Sequence, residues 1–238
     1  EGGASRGEMI LVVAPPGVGK SVYLANQAVI SAKQGFDVLY VSMEMSEAKI
    51  EKRLDSMMTR IPITELGTRV DEVKERLAMI KEKIPHMGRI KTKQFPTRGC
   101  SVAGLRAYLT QIENYEGFVP SVLIVDYLDL MSSDMLSKYD AQQDIAELLR
   151  GLAVELSILL YTATQTNREA KKVNVITDLE LADCYGKIRV VDCAISLNQT
   201  EEEHDNGVMR VFIMKNRNGI AHTIIPIRVD YKRLVLFE

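Results

Sequence analysis

Apolar residues along this chain repeat with two different periods. Continuous runs rich in Val and Ile occupy 9–14, 38–43, 122–127, 158–164 and 194–197, the pattern of strands buried on both faces. Between the runs, apolar positions recur every three or four residues: Ile50, Leu54, Met57, Met58 and Ile61; Val70, Val73, Leu77, Ile80 and Ile84; Val102, Leu105, Leu109 and Ile112; Ile145, Leu148, Leu149, Leu152 and Leu156. Each set falls on one face of a helix. Alternating strands and helices predict an α/β fold, with a mainly parallel twisted sheet flanked by helices. From Gly207 onward the segments alternate apolar and polar residues, with Asn218-Gly219 at a turn, which predicts a C-terminal antiparallel extension. No repeat or low-complexity linker divides the chain, so 1–238 is expected to form one domain.

Composition narrows the function classes. The 238 residues are 46 % hydrophobic and 26 % charged, enough for a well-buried core. A net charge of −2 gives no global basic field, so any nucleic-acid contact must use local loops. Cys100, Cys184 and Cys193 are odd in number and lack CxxC spacing, and the histidines (His86, His204, His222) are scattered. Neither a disulfide framework nor a zinc site is indicated, and a reducing cytoplasm is the expected location. No apolar run is long enough to span a membrane, and no signal-peptide core opens the chain. The opening "EGGASRGEM" enters the first strand at once without an initiating Met, as expected of a domain cut from a longer chain with an N-terminal domain.

The segment "LVVAPPGVGKS" at 11–21 carries the strongest chemistry. Ala14, Pro15, Pro16, Gly17, Val18, Gly19, Lys20 and Ser21 match the phosphate-loop pattern GxxxxGK[ST] except at the first position, where Ala is tolerable at negative φ. Gly17 and Gly19 keep freedom where backbone N–H groups must close around phosphate, and a helix through Val22 aims its N-terminus at the anion. Lys20 would reach the β/γ-phosphates of ATP or another nucleoside triphosphate, and Ser21 would ligate Mg²⁺. A strand–turn–helix corner with an exposed Lys-Ser fits the same letters; the strand before, the helix after and an acidic strand end elsewhere favour the phosphate loop.

That acidic end is "VLIVDYLDLM", where four apolar residues deliver Asp126 to the end of a buried strand, placed to hold the water shell of Mg²⁺. Asp129 is the competing carboxylate, and a helix cap is the simpler role for either. Glu44 leaves another strand before a helix that Ser46 can cap, at the edge where open α/β sheets bind ligands. It is the candidate to orient or deprotonate water, or else a first-turn carboxylate favouring the helix dipole. Gln165 ends a fourth strand at the same edge, where a neutral amide can sense γ-phosphate. Lys215 and Arg217, two apart on a strand, project from one face; they either discourage edge pairing or reach a γ-phosphate.

Taken in order, "APPGVGKS", "YVSMEMSEAKIEKR", "LIVDYLDLM", "AELLRGLAVE", "TATQTNR" and "KNRNG" resemble the RecA-like motor domain of DnaB-type replicative DNA helicases over essentially the whole chain. "GRIKTKQFPTRG" followed by "GFVPSVLIVDYL" looks most like the T-even-type phage members. The resemblance implies a RecA-like P-loop NTPase assembled into a ring, usually of six, that hydrolyses nucleotide between subunits and pulls single-stranded DNA through its centre. It further implies that Lys20, Ser21, Glu44, Asp126 and Gln165 serve the nucleotide in one subunit, with Lys215 and Arg217 reaching it from the next. Primase and a helicase loader are the implied protein partners. DNA loops are implied in "SSDMLSKYDAQQD" and "LADCYGKIRVVD", where Gly186, Lys187 and Arg189 offer N–H and cationic groups to phosphates beside Tyr185. A solvated surface loop is the plainer reading there. A RecA- or RadA-like recombination ATPase and a nucleotide-dependent ring scaffold without motor activity remain as alternatives.

Overall fold

The computed structural model describes residues 3–133, 137–166, 175–177 and 185–237. In chain order the strands are β1 (Met9–Ala14), β2 (Val38–Ser42), β3 (Ile90–Gln94), β4 (Val122–Asp126), β5 (Leu159–Gln165), β6 (Cys193–Asn198), β7 (Val208–Asn216), β8 (Thr223–Asp230) and β9 (Val235–Phe237). The helices are α1 (Lys20–Lys33), α2 (Glu47–Thr59), α3 (Val70–Lys83), α4 (Val102–Glu116), α5 (Lys138–Glu155), α6 (Tyr185–Val190) and α7 (Glu201–Asp205), with a 3-10 turn at Leu128–Leu130. Among the described residues the strands form one sheet in the order β3-β2-β4-β5-β1-β6-β7-β8-β9. Pairing is parallel from β3 to β6 and antiparallel from β6 to β9.

Successive strand residues point to opposite faces, and in β1 both faces are apolar. Met9, Leu11 and Val13 enter one core with Leu105 and Leu109 of α4 and Leu149 and Leu152 of α5. Ile10, Val12 and Ala14 enter a second core with Leu24 and Ala28 of α1 and Ile50 and Leu54 of α2. Helices on both faces therefore explain why these strands read as continuous apolar runs. Ser101 fixes the start of α4 by accepting from Gly104 N at 3.1 Å, a cap that contributes about 1 kcal/mol.

Three expectations change in detail. Strand β3, "IKTKQ", has no apolar run because it is a half-buried edge strand, and its Lys91 and Lys93 suit an edge that must not pair with other chains. Helix α3 forms where the periodicity placed it, yet none of its residues is buried. In α5, Ile145, Leu149 and Leu152 are core residues while Leu148 is exposed.

The C-terminal ends of β1, β2, β4 and β5 lie side by side at one end of the sheet. The strand order switches sides there, β2, β4 and β5 lying to one side of β1 and β6 to the other. Open α/β sheets bind ligands at such a crevice.

Candidate functional site

Ala14 closes β1 and is fully buried, whereas the positive φ angles fall on Gly17 (84°) and Gly19 (100°). A Cβ at either glycine would meet backbone strain, which only glycine avoids. Gly19 is the N-cap of α1 with no side-chain cap, so the first-turn N–H groups of the helix point back toward the loop. Lys20, 7 % exposed, folds its Nζ back on the loop, donating to Ala14 O at 3.2 Å and Pro15 O at 3.4 Å. Burial pulls its pKa below the usual lysine range, while the charges of Asp126, Asp129 and Glu44 oppose that shift. The ammonium thus stands among three acidic groups at the mouth of the loop.

Asp126, 1 % exposed, ends β4 beside that mouth. Its Oδ1 accepts from Ser21 Oγ at 3.2 Å and its Oδ2 from Tyr40 OH at 2.7 Å. Burial raises the carboxyl pKa, partly offset by the two hydroxyl donors. Ser21, donating its proton there, keeps oxygen lone pairs for a cation. This donor set fits Mg²⁺ carried in by a nucleotide: one hydroxyl oxygen and one carboxylate, the remaining positions being left to phosphate and water.

Glu44 is exposed just beyond β2. The turn that presents it is held by Ser42 Oγ, which accepts from Glu44 N at 3.3 Å and Met45 N at 2.9 Å. Ser46 occupies the N-cap of α2, but its side chain makes no capping bond; Ser42 does the local work expected of it. Gln165 lies directly beside Ala14 in the β1/β5 register, and Thr166 N donates to Ala14 O at 3.3 Å. Phosphate loop, Ser21, Asp126, Glu44 and Gln165 therefore share one end of the sheet.

Lys215 and Arg217 lie at the other end. Lys215 pairs with Ala194 near the start of β6, whose Cys193 pairs with Ile10. From Ile10 to Ala14 the strand rises about 13 Å, with the phosphate loop farther on. Arg217 lies just past β7 rather than on it; its backbone N–H donates to Asp192 O at 3.0 Å and its Nη1 to Asp192 Oδ1 at 3.2 Å. Lys215 Nζ donates to Ile188 O at 2.9 Å and Arg189 O at 2.8 Å, capping the last turn of α6. The expectation that both residues lie on one strand is changed in one respect: Arg217 falls just beyond the end of β7, and each side chain has its own anchor.

A family model, the DnaB-like helicase C terminal domain, matches residues 1–233. The chain belongs to this family. It is 32 % identical over 210 residues to a "DnaB-like replicative helicase" of Enterobacteria phage T4, covering 85 % of this chain and 44 % of that protein. Identity to "Replicative DNA helicase DnaB" of Geobacillus stearothermophilus is 23 % over 249 residues, covering 99 % and 54 %. The chain thus spans about half the length of the curated relatives it matches. In fold it is similar to a solved ATPase domain, with a TM-score of 0.83 at 20 % identity over 98 % of this chain and 85 % of that one. It is similar also to "The Structure Of A DnaB-Like Replicative Helicase And Its Interactions With Primase", with a TM-score of 0.82 at 19 % identity over 99 % and 58 %.

Within this DnaB-like domain the expected DNA-contacting residues separate. Arg189 is exposed on α6, but Gly186 and Lys187 are buried, Lys187 being 3 % exposed with its ammonium paired to Asp129 at 2.8 Å. Its charge is engaged inside the domain and is not offered to a DNA phosphate, because the acid expected to compete for metal neutralises it. Residues 134–136 and 181–184 of the two implied DNA loops lie outside the described residues. Three site features escaped the sequence reading: Tyr40 on Asp126, Asp129 on Lys187, and Asp192 between Arg150 and Arg217. Tyr40 left a faint signal, a hydroxyl in the middle of the apolar run "VLYVS"; the other two join segments far apart in sequence.

Proposed function

We propose that this domain is the motor of a replicative DNA helicase, hydrolysing ATP or a related nucleoside triphosphate with Mg²⁺ between subunits of a ring, six in number, and translocating on single-stranded DNA to unwind duplex. One observation carries the reading: the phosphate loop and the Lys215/Arg217 pair stand at opposite ends of one rigid sheet, so the second can serve a nucleotide only in a neighbouring subunit. Head-to-tail contacts of that kind form rings when the rotation between neighbours closes.

Residues 14–22 and the N-terminus of α1 hold the phosphates, and Lys20 swings from its loop carbonyls to the β/γ oxygens. Ser21 and Asp126 would hold Mg²⁺, which when bound would neutralise phosphate charge that Asp126 and Glu44 repel. Glu44 takes a proton from the water that attacks the γ-phosphorus as the bond to the bridging oxygen breaks, leaving diphosphate and phosphate. Gln165 reads the γ-phosphate, and Arg217 of the next subunit stabilises the charge on the transferred group. Release of phosphate frees Arg217 and lets neighbouring subunits shift. Arg189 is placed to touch the DNA backbone. Primase and a loader are the protein partners this reading implies, and the bacterial cytoplasm its setting.

The test is ATP turnover with and without single-stranded DNA, with particle size followed alongside and Lys20→Ala as control. Strong stimulation by DNA, abolished in the control, is the expected result; no turnover from assembled rings overturns the motor reading in favour of a scaffold.

A further inference from the structure

Lys187 is 3 % exposed, and the proposed motor chemistry gives it no task. Its three ammonium protons meet three acceptors: Asp129 Oδ1 at 2.8 Å, Gln142 Oε1 at 2.8 Å and Thr164 Oγ1 at 2.7 Å. Thr164 Oγ1, accepting there, donates its own proton to Asp129 Oδ2 at 2.8 Å, and the same oxygen accepts the backbone N–H of Gln165 at 3.0 Å. Lys187, Thr164 and Asp129 thus form a closed ring of charge-assisted bonds, from which Asp129 also holds the backbone N–H of Gln165. The ring ties α6, α5, the Leu128–Leu130 turn and the end of β5 at one point. That point is one residue along from the start of the phosphate loop, since Gln165 registers with Ala14.

We propose that Lys187 is a positioning residue of the nucleotide site: by fixing Asp129 it sets the end of β5, so that Gln165 meets the γ-phosphate and the site distinguishes triphosphate from diphosphate. This rests on the function proposed above and adds the group that controls its sensor. Two physical arguments support it. An ammonium carries three donors on one atom and fits three convergent acceptors, which a planar guanidinium does not. Unpaired, the Asp129 carboxylate would present a negative charge close enough to act on Lys20, where a triphosphate must bind; Lys187 cancels it. The bonds involved are charge-assisted and half-buried or buried, so they hold position more firmly than surface pairs do.

The experiment is competition of Mg-ADP and a non-hydrolysable Mg-ATP analogue against a fluorescent nucleotide, on the whole chain and on Lys187→Met, Lys187→Arg, Asp129→Asn and Gln165→Ala. Lys187→Met is expected to lower the preference for the triphosphate analogue over ADP about tenfold, the loss of one strong charge-assisted link. ADP affinity should stay within about twofold of the parent. Asp129→Asn should move the preference the same way, Gln165→Ala should match it, and Lys187→Arg should recover part of it. If Lys187→Met fails to fold, Asp129→Asn, which is isosteric, carries the same comparison. The proposal is overturned if the lysine and aspartate variants keep the parental preference while Gln165→Ala loses it, or if they weaken ADP and the analogue in equal proportion, as a purely structural tie would. Should Gln165→Ala itself keep the preference, the sensor role of Gln165 falls, and the positioning role with it.

Discussion

The two ends of the central sheet are charged in opposite senses. At the C-terminal end of the parallel strands, Asp126, Asp129 and Glu44 surround Lys20, with Lys187 already engaged by Asp129. At the other end, Arg150 and Arg217 both donate to a single oxygen, Asp192 Oδ1, at 2.9 and 3.2 Å, with Lys215 close by. One end is an anion-lined cradle that needs a cation and a polyphosphate; the other has more guanidinium than carboxylate. Hydrolysis of a phosphoanhydride needs both kinds of group around the same phosphorus. A packed sheet does not fold its ends together. The division therefore points to a site completed between molecules, and it can be broken by experiments on each end and on the helix between them.

The largest effect is expected from separating the ends genetically. Arg217→Ala should keep nucleotide affinity within a few-fold of the parent but lose about 10³-fold or more in turnover, the range seen when an arginine finger is removed. Mixing Arg217→Ala with Lys20→Ala subunits sharpens this. Each variant is inactive alone, yet in a randomly mixed ring about a quarter of the interfaces join an intact phosphate loop to an intact Arg217. Recovery of turnover on mixing is the expected outcome. A site built within one subunit would stay dead in every mixture, and that result would end the argument from opposite ends.

Legibility in the sequence followed the same division. The cradle was readable because each group ends an apolar run: Val122 to Val125 before Asp126, and "VLYVS" before Glu44. A buried parallel strand has one direction, so residues that follow such runs share an edge before any coordinates are known. Partnership was not readable. Nothing in the spacing of Asp129, Thr164 and Lys187 says that they meet, because contacts between separate segments are set by packing. The same limit misplaced Lys187. A lysine in a short polar segment reads as a solvated cation, whereas its neighbours Ile188 and Val191 pull α6 into the core and carry Lys187 inward. Strand β3 was missed for a related reason: an edge strand needs no continuous apolar run.

Helix α6 offers a second, smaller contrast, since it touches both ends through Lys187 and the carbonyls that Lys215 caps. Arg189, exposed on this helix, should behave as a DNA-phosphate contact. Arg189→Ala is expected to weaken single-stranded DNA binding roughly fivefold and to reduce the slope of log affinity against log salt by about 0.7, the share of one phosphate on a single strand. Lys187→Met should leave that slope unchanged. Equal slopes for the parent and Arg189→Ala would move the DNA contact off α6.

The smallest effect tests the charge imbalance directly, by replacing one acid at each end with its neutral isostere. Asp192 has two guanidinium partners and also accepts from Met9 N at 3.0 Å. Asp192→Asn should therefore destabilise the nucleotide-free domain by about 1–3 kcal/mol, as when one member of a hydrogen-bonded charge pair is lost. Asp126 is the opposite case. Burial raises its pKa above the unfolded value, so its carboxyl favours folding when protonated, at pH below about 3.9. That contribution is lost as pH rises through the folded value, and above it the acid is held as a buried charge at a cost to stability. Asp126→Asn, whose amide still offers groups to Ser21 and Tyr40, should remove the penalty. Melting of the nucleotide-free domain is expected to rise by roughly 2–4 °C per kcal/mol gained, with the gain shrinking as pH falls, while turnover is lost. A lower melting temperature for Asp126→Asn at neutral pH would show instead that this carboxylate is already satisfied without a cation, and the contrast between the two ends would lose its energetic half.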